Sequence, residues 1–248
     1  MLSPALQAAW LWKRKGDLSI CEASRFCTDA AQRLSVVRQL VEVHHADVGV
    51  EKGSFTALHW ACGDGHLDVV SYLSTRPNVQ INVATSYKHL SPLHCACYNG
   101  CVDVVRQLLR HTDIQVNLAD QGGMTPLLLA CVNGHVDLVR QLLGHTDIQV
   151  NQAAQRGVTP LYVACVEGHV DVVRQLLSHT DIQVNLADQR GITPLVSACF
   201  NGQVDVVRQL LSHTDIQVDL AGPGGQTPLQ VASIGGHADV AHLLRSHR

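Results

Sequence analysis

The chain has 248 residues, a formal net charge of −3 and 46% hydrophobic residues, enough apolar material for an extended core. This balance lacks the clustered Lys and Arg of nucleic-acid-binding faces. Charge-free runs such as 122–136 contain Pro, Gly and Asn and are too short to cross a membrane. We therefore expect a soluble protein without a nucleic-acid or membrane partner.

The N-terminal part shows the weakest pattern. An apolar stretch, 1–12, precedes Lys13, Arg14 and Lys15, whereas a secretory signal places its positive charges first. We interpret 1–19 as an N-terminal extension or a capping helix. The pattern of 34–41 overlays 136–143 and predicts the second helix of a degenerate N-terminal repeat, 20–54, with a partner helix near 23–31.

An internal repeat follows. The segment 125–143 returns, slightly changed, from Thr159 and from Thr193, at a spacing of 34 residues. A fixed period of this size predicts a stacked array in which each unit buries its apolar face against its neighbours. The predicted repeats are 55–89, 90–123, 124–157, 158–191 and 192–225, and 226–248 forms a C-terminal half or capping repeat.

Local chemistry defines each unit. The Thr125 hydroxyl caps a helix start, and Pro126 occupies the first helical position, where its missing N–H costs nothing. Gly134 ends that helix through positive φ. A second helix carries apolar residues at helical spacing and polar residues outward. We predict its buried face as Val136, Val139, Leu142 and Leu143.

These residues resemble the ankyrin repeat. The resemblance rests on 56–61 (Thr-Ala-Leu-His-Trp-Ala), 91–96 (Ser-Pro-Leu-His-Cys-Ala) and the Gly-His pairs such as Gly65 and His66. It implies an all-α solenoid of stacked helix-turn-helix units with projecting β-turn or hairpin loops, forming a single domain over 20–248. One departure is the period, since ankyrin units run to about 33 residues.

A second departure concerns the signature histidine of the first helix, which is kept at His59 and His94. Its hydrogen bond to the threonine is expected to be missing where other residues replace it. These are Leu128, Tyr162, Val196 and Gln230.

Cysteine and histidine patterns favour structural roles. One repeat position holds cysteine in five copies, which predicts small buried core residues: Cys62, Cys97, Cys131, Cys165 and Cys199. A zinc cluster around Cys95 is the alternative, but residues two apart on a helix point away from each other. The sequence shows no nucleophile–base arrangement or phosphate loop. We therefore predict no catalytic residue, no metal and no cofactor.

Variation among the copies indicates a binding surface. By resemblance, the ends of the first helices face a concave groove, with the preceding residues and the turn tips beside them. The alternative is that the two apolar files pack between units. The apolar file at the helix ends is Tyr98, Val132, Val166, Phe200 and Ile234; the file ahead of the helices is Phe55, Leu90, Met124, Val158 and Ile192; the tips are Tyr87, Lys88, Gln121, Gln155, Arg156, Gln189 and Arg190.

We expect a monomeric, non-enzymatic scaffold that binds a protein partner across this groove and these tips. The alternative is an adaptor or regulatory module of a larger assembly, for example substrate recognition for ubiquitin ligation or a signalling scaffold. The odd cysteine total favours an intracellular, cytoplasmic or nuclear location with reduced thiols. By resemblance, asparaginyl hydroxylation would fall on Asn117, Asn151 or Asn185.

Overall fold

The computed structural model describes residues 20–26, 29–43, 45–49, 51–52 and 54–247. Within these residues the chain forms fourteen α-helices and no β-strand. The all-α, stacked helix-turn-helix fold class is confirmed. None of these helices combines the length and the hydropathy that a membrane crossing requires. The contacts between residues divide the chain into two compact units, Met1–Gln121 and Gly122–Arg248.

The first unit contains six described helices in two rows. The first helices of successive pairs pack on one another, and so do the second helices. Their bounds are α1 Ile20–Phe26, α2 Ala30–Glu42, α3 Ala57–Gly63, α4 Leu67–Leu73, α5 Pro92–Tyr98 and α6 Val102–Leu108.

The second unit contains eight helices with the same arrangement in two rows. Two of its projecting turns contain a short 3₁₀ segment, Gln155–Gly157 and Pro223–Gly225. The helices are α7 Pro126–Val132, α8 Val136–Leu143, α9 Pro160–Glu167, α10 Val170–Leu177, α11 Pro194–Phe200, α12 Val204–Leu211, α13 Pro228–Ile234 and α14 Ala238–Ser246.

The first helices begin as predicted. The Thr159 hydroxyl accepts a hydrogen bond from the backbone N–H of Tyr162 at 3.1 Å, and Pro160 follows at the first helical position. The expectation that Gln230 would leave its threonine without the signature hydrogen bond is wrong. Its Oε1 accepts from the Thr227 backbone N–H at 2.9 Å, because a glutamine at this position completes a capping box.

The second helices bury a slightly different face from the predicted one. In α8, Leu138, Val139 and Leu142 are fully buried, whereas Val136 and Leu143 are half-buried. The helix ends without a positive-φ residue: the His145 N–H donates to the Leu142 carbonyl, and the Ile148 N–H donates to the His145 carbonyl. Two successive tight turns therefore replace the glycine that commonly ends such a helix.

The N-terminal predictions have mixed outcomes. The extension or capping helix expected over 1–19 lies outside the described residues. The partner helix expected near 23–31 is α1, which ends earlier, at Phe26. Residues 30 and 31 belong to α2, because Asp29 caps that helix by accepting a hydrogen bond from the Gln32 N–H at 3.1 Å.

Candidate functional site

The ends of the first helices expose apolar side chains in both units. In the second unit Phe200 is 69% exposed and Ile234 is 73% exposed, while Val132 and Val166 are half-buried. In the first unit Tyr98 is 59% exposed. Large exposed apolar residues at corresponding positions mark an interaction surface more often than isolated ones do. We call this surface, with the turn tips of the same unit, the first-helix face.

The residues ahead of the first helices are half-buried in each unit. In the second unit, the carbonyls of Val158 and Ile192 accept hydrogen bonds from Ala154 and Asp188 at 2.9 and 3.0 Å, closing the turns. In the first unit, Phe55 lies edge-on to His59 with ring centroids 5.7 Å apart. These side chains therefore pack against their repeats while part of each remains exposed to solvent. The half-buried set is Phe55, Leu90, Met124, Val158 and Ile192.

The turn tips are exposed, and neighbouring tips are joined through their backbones. In the second unit the Gln189 N–H donates to the Arg156 carbonyl at 2.8 Å. In the first unit the Gln121 N–H donates to the Lys88 carbonyl at 3.0 Å. The tips are therefore held while their side chains reach solvent. The exposed tip residues are Tyr87, Lys88, Gln121, Gln155, Arg156, Gln189 and Arg190.

A cleft of about 410 Å³ lies on the first-helix face of the second unit. This volume is within the range of about 300–1,000 Å³ that is usual for binding pockets. Most of its apolar lining comes from α9, α11, α13 and the residue ahead of α11: Tyr162, Val166, Ile192, Val196, Phe200 and Val231. The cleft thus joins residues of both predicted apolar files.

One cation, Arg190, also lines this cleft. Its Nε donates to Asp188 Oδ2 at 3.0 Å and its Nη2 donates to the Tyr162 hydroxyl at 3.3 Å. The other carboxylate oxygen of Asp188 accepts from the backbone N–H groups of Arg190 and Ile192, each at 2.9 Å. Arg190 was predicted from the sequence as a tip residue, but its two partners were not predicted. The sequence signal for these partners is Tyr162, which brings a hydroxyl to the repeat position that Leu128 and Val196 occupy in other copies.

Electrostatics fix this arrangement in its charged form. Burial alone raises the pKa of Asp188, but the hydrogen bonds from Ile192 and Arg190 outweigh burial and hold that pKa below its ordinary value. The hydrogen bond and the charge of Asp188 raise the pKa of Arg190. The Asp188 side chain is 3% exposed and the Arg190 side chain is 68% exposed. The positive partner of the pair is therefore the one that solvent meets.

The backbone of the helix ends is tied to the next repeat within the second unit. His169 Nε2 bonds the Val132 carbonyl at 3.0 Å, and His237 Nε2 bonds the Phe200 carbonyl at 2.9 Å. Gly202 allows the second contact, because a Cβ there would lie 2.5 Å from His237 Nδ1. The Phe200 side chain is thus exposed on a backbone that is held in place.

The candidate hydroxylation residues Asn151 and Asn185 join neighbouring loops. Asn151 Nδ2 donates to the Asp181 carbonyl at 2.6 Å, and its Oδ1 accepts from the Gln183 N–H at 2.9 Å. Asn185 makes the same pair of bonds to the next loop. Asn82, which was not among the predicted residues, does so in the first unit. Modification of Asn117, Asn151 or Asn185 stays a prediction.

The repeated cysteines are core residues, as predicted. Cys62, Cys97, Cys131, Cys165 and Cys199 are all fully buried. Burial raises the pKa of the Cys199 thiol from 9.0 to about 12, which disfavours the reactive thiolate. Across the described part of the chain, no three His, Cys, Asp or Glu side chains are grouped so that they would hold a metal ion.

Each unit therefore has the features of a helical repeat protein whose first-helix face meets solvent. The chain belongs to the ankyrin-repeat family: a family model described as ankyrin repeats (3 copies) matches residues 26–120, 113–188 and 181–248. Ankyrin repeats are generally protein-interaction modules.

The curated relatives match a shorter part of the chain. Osteoclast-stimulating factor 1 of Rattus norvegicus is 43% identical over 56 residues, which is 22% of this chain and 26% of the relative. The Sus scrofa protein of that name is 41% identical over 56 residues, with the same two shares. The Danio rerio protein is 39% identical over 56 residues, again 22% and 26%. The chain thus spans about a quarter of the length of these relatives.

Proposed function

We propose that the protein is a non-enzymatic scaffold that binds a protein partner on its first-helix face. One observation carries this proposal: Phe200 is 69% exposed beside an apolar cleft, although its backbone carbonyl is held by His237. An exposed aromatic residue on a fixed backbone is typical of binding hot spots, since little conformational freedom is lost on association. The partner contributes an extended segment or a helix.

A paired substitution tests this function. In the Val166→Ala/Phe200→Ala variant we expect binding to weaken at least about tenfold, because alanine at a hot spot removes more than about 1.4 kcal/mol. Folding should be nearly unchanged, since both side chains are already exposed or half-buried. Leu186→Ala/Leu220→Ala is the matched control, because those leucines are 36% and 37% exposed outside the cleft.

Partner recovery from cell extract would be quantified by mass spectrometry for the two variants and the unchanged chain. A photo-reactive residue at position 200, and one at 220 for comparison, would identify the contacting partner peptide. We expect recovery and cross-linking to depend on position 200. Equal recovery with both paired variants, or unfolding of the Val166→Ala/Phe200→Ala variant, would contradict the proposal.

We also infer that the partner is not a nucleic acid. In four of the second helices, α6, α8, α10 and α12, an arginine is paired with the aspartate three residues earlier, for example Arg140 with Asp137 at 2.9 Å and Arg174 with Asp171 at 2.6 Å. This pairing neutralises the cations locally, whereas nucleic-acid affinity requires cations that displace counterions. Fluorescence anisotropy with a labelled random DNA duplex should show no binding at 0.15 M salt. A salt-dependent dissociation constant below 1 μM, about −8.2 kcal/mol, would contradict this inference.

A further inference from the structure

The cleft of the second unit combines an apolar interior with one fixed cation. Val166, Val196 and Phe200 supply apolar surface, and Arg190 lines the same space. Its guanidinium carries five N–H donors. The bonds to Asp188 and Tyr162 engage Nε and Nη2, and within the described residues Nη1 forms no hydrogen bond. The arginine is thus oriented and keeps donors for a ligand.

The exposed turn tips beside the cleft carry positive charge. Arg156 and Arg190 are the charged residues of the exposed tips 155–157, 189–191 and 223–225. Asp188, the acid of the same turn, is buried beneath Arg190 and its two oxygens are already engaged. Glu167 is exposed at the end of α9 but does not line the cleft. A carboxylate in the ligand therefore complements the cleft.

We propose that this cleft recognises an acidic peptide motif: an aromatic or large aliphatic side chain that enters the cleft, next to an Asp or Glu whose carboxylate binds Arg190. Charge-assisted Arg–carboxylate hydrogen bonds are roughly twice as strong as neutral ones, and the guanidinium edge matches both carboxylate oxygens. Asp188 and Tyr162 act as positioning residues that hold the arginine. This inference rests on the protein-binding function proposed above and specifies its ligand chemistry.

A library of random 12-residue peptides displayed on phage tests the motif against the full chain. We expect enriched peptides to share an acidic residue adjacent to an aromatic or large aliphatic one. Enriched peptides without an acidic residue would overturn the motif and leave the proposed function standing. Enrichment no greater than on the Val166→Ala/Phe200→Ala variant would overturn both.

Point variants locate the carboxylate. An enriched peptide would be labelled with fluorescein and titrated beside a second peptide in which its acidic residue is replaced by the amide. Arg190→Gln should weaken binding of the acidic peptide about tenfold or more. Arg190→Lys should bind that peptide with an affinity between those of Arg190→Gln and the unchanged chain. The Arg190→Gln variant and the unchanged chain should bind the amide peptide with similar affinity, weaker than that of the unchanged chain for the acidic peptide. Equal weakening of the two peptides by Arg190→Gln would overturn the pairing.

Two further variants separate recognition from folding. Arg208→Gln removes the same charge from α12 of the same unit, outside the cleft, and should leave binding unchanged. Tyr162→Phe keeps the ring in the cleft wall but removes the hydroxyl that bonds Arg190, and should cause an intermediate loss for the acidic peptide alone. An unchanged Tyr162→Phe affinity would overturn the positioning role, and an Arg208→Gln loss equal to that of Arg190→Gln would overturn the site.

Discussion

His59 is held in one protonation state by its hydrogen bonds. Its Nδ1 accepts from the Thr56 backbone N–H at 3.2 Å, so the ring proton lies on Nε2, which donates to the Leu90 carbonyl at 2.8 Å. Burial lowers the pKa of His59 below its ordinary 6.5. Protonation of Nδ1 would break the cap of α3 and place a charge in the core.

We predict that acid destabilises the protein partly through His59. Because its folded pKa is lowered, the unfolded chain binds more protons below pH 6.5, and the stability present above that pH is lost as the pH falls toward the folded pKa. Between pH 7.5 and 5.5 the urea concentration at the midpoint of unfolding should fall less in His59→Gln than in the unchanged chain. Glutamine can keep the cap, since Gln230 caps its helix at the corresponding repeat position. The exposed His242→Gln is the control. Parallel pH profiles of His59→Gln and the unchanged chain would contradict the prediction.

The buried thiols should resist alkylation in the folded chain. Burial raises the pKa of both Cys95 and Cys199 to about 12, so the thiolate is scarce at pH 8. With iodoacetamide we expect Cys199 to react at least about a hundredfold more slowly than in the unfolded chain, since each pKa unit is tenfold in thiolate. Half-buried Cys101 should react first among the described cysteines. Site-resolved mass spectrometry showing equal native labelling of Cys101 and Cys199 would contradict this.

At the scale of elements, asparagine side chains connect loops that otherwise belong to separate repeats. Asn185 donates to the Asp215 carbonyl at 2.7 Å and accepts from the Gln217 N–H at 2.9 Å. Both partners are backbone groups of the next loop. The segment after α12 is therefore held by the preceding loop as well as by its own helix.

Asn185→Ala should lower the free energy of unfolding by about 1–2 kcal/mol, because it removes two hydrogen bonds to backbone groups. Asn133→Ala is the matched control: that side chain donates only to the Leu129 carbonyl of its own helix, at 2.8 Å, and we expect a loss below about 0.5 kcal/mol. Urea titrations followed by circular dichroism measure both values. Equal losses would show that the bridge between loops carries no additional stability.

At the scale of the whole molecule, each unit is stabilised by contacts between neighbouring repeats within it. Within the second unit, α10 packs against α8 on one side and α12 on the other, whereas α14 packs on α12 and α13. The position of the buried cysteines is taken in α13 by Ser233, which is exposed and donates to the Leu229 carbonyl at 2.8 Å. The last helix pair is thus polar at a position where the inner pairs are apolar.

Hydrogen exchange should follow this difference in neighbours. We expect the amides of Val173 and Leu176 to exchange at least about tenfold more slowly than those of Val240 and Leu244, because a helix with one stacked neighbour opens without disturbing the rest of the array. All four side chains are buried, so the comparison holds burial fixed. Mass spectrometry of peptic fragments gives the rates. Uniform protection would mean that the second unit opens as a single cooperative body.

Much of the fold was predictable because its signals are local. Thr159 and Pro160 specify a helix start, and the period of 34 residues predicts stacking without knowledge of any contact. The buried cysteines followed from their fixed place in that period. Helix faces were less certain: Leu138 rather than Val136 is buried, because the rotation of a short helix depends on the helix packed against it.

The candidate site was predictable as a row of positions, but its chemistry required contacts between repeats. Phe200 and Ile234 are exposed whereas Val166 is half-buried, although the three residues share one repeat position. Tyr162 and Arg190 are 28 residues apart, and their hydrogen bond exists because stacking brings α9 beside the turn that leads into α11. The period of the sequence predicts which residues occupy the same position in successive repeats. Which side chains are in contact is determined by the packing of the helices and turns, because each contact depends on side chains from two different elements.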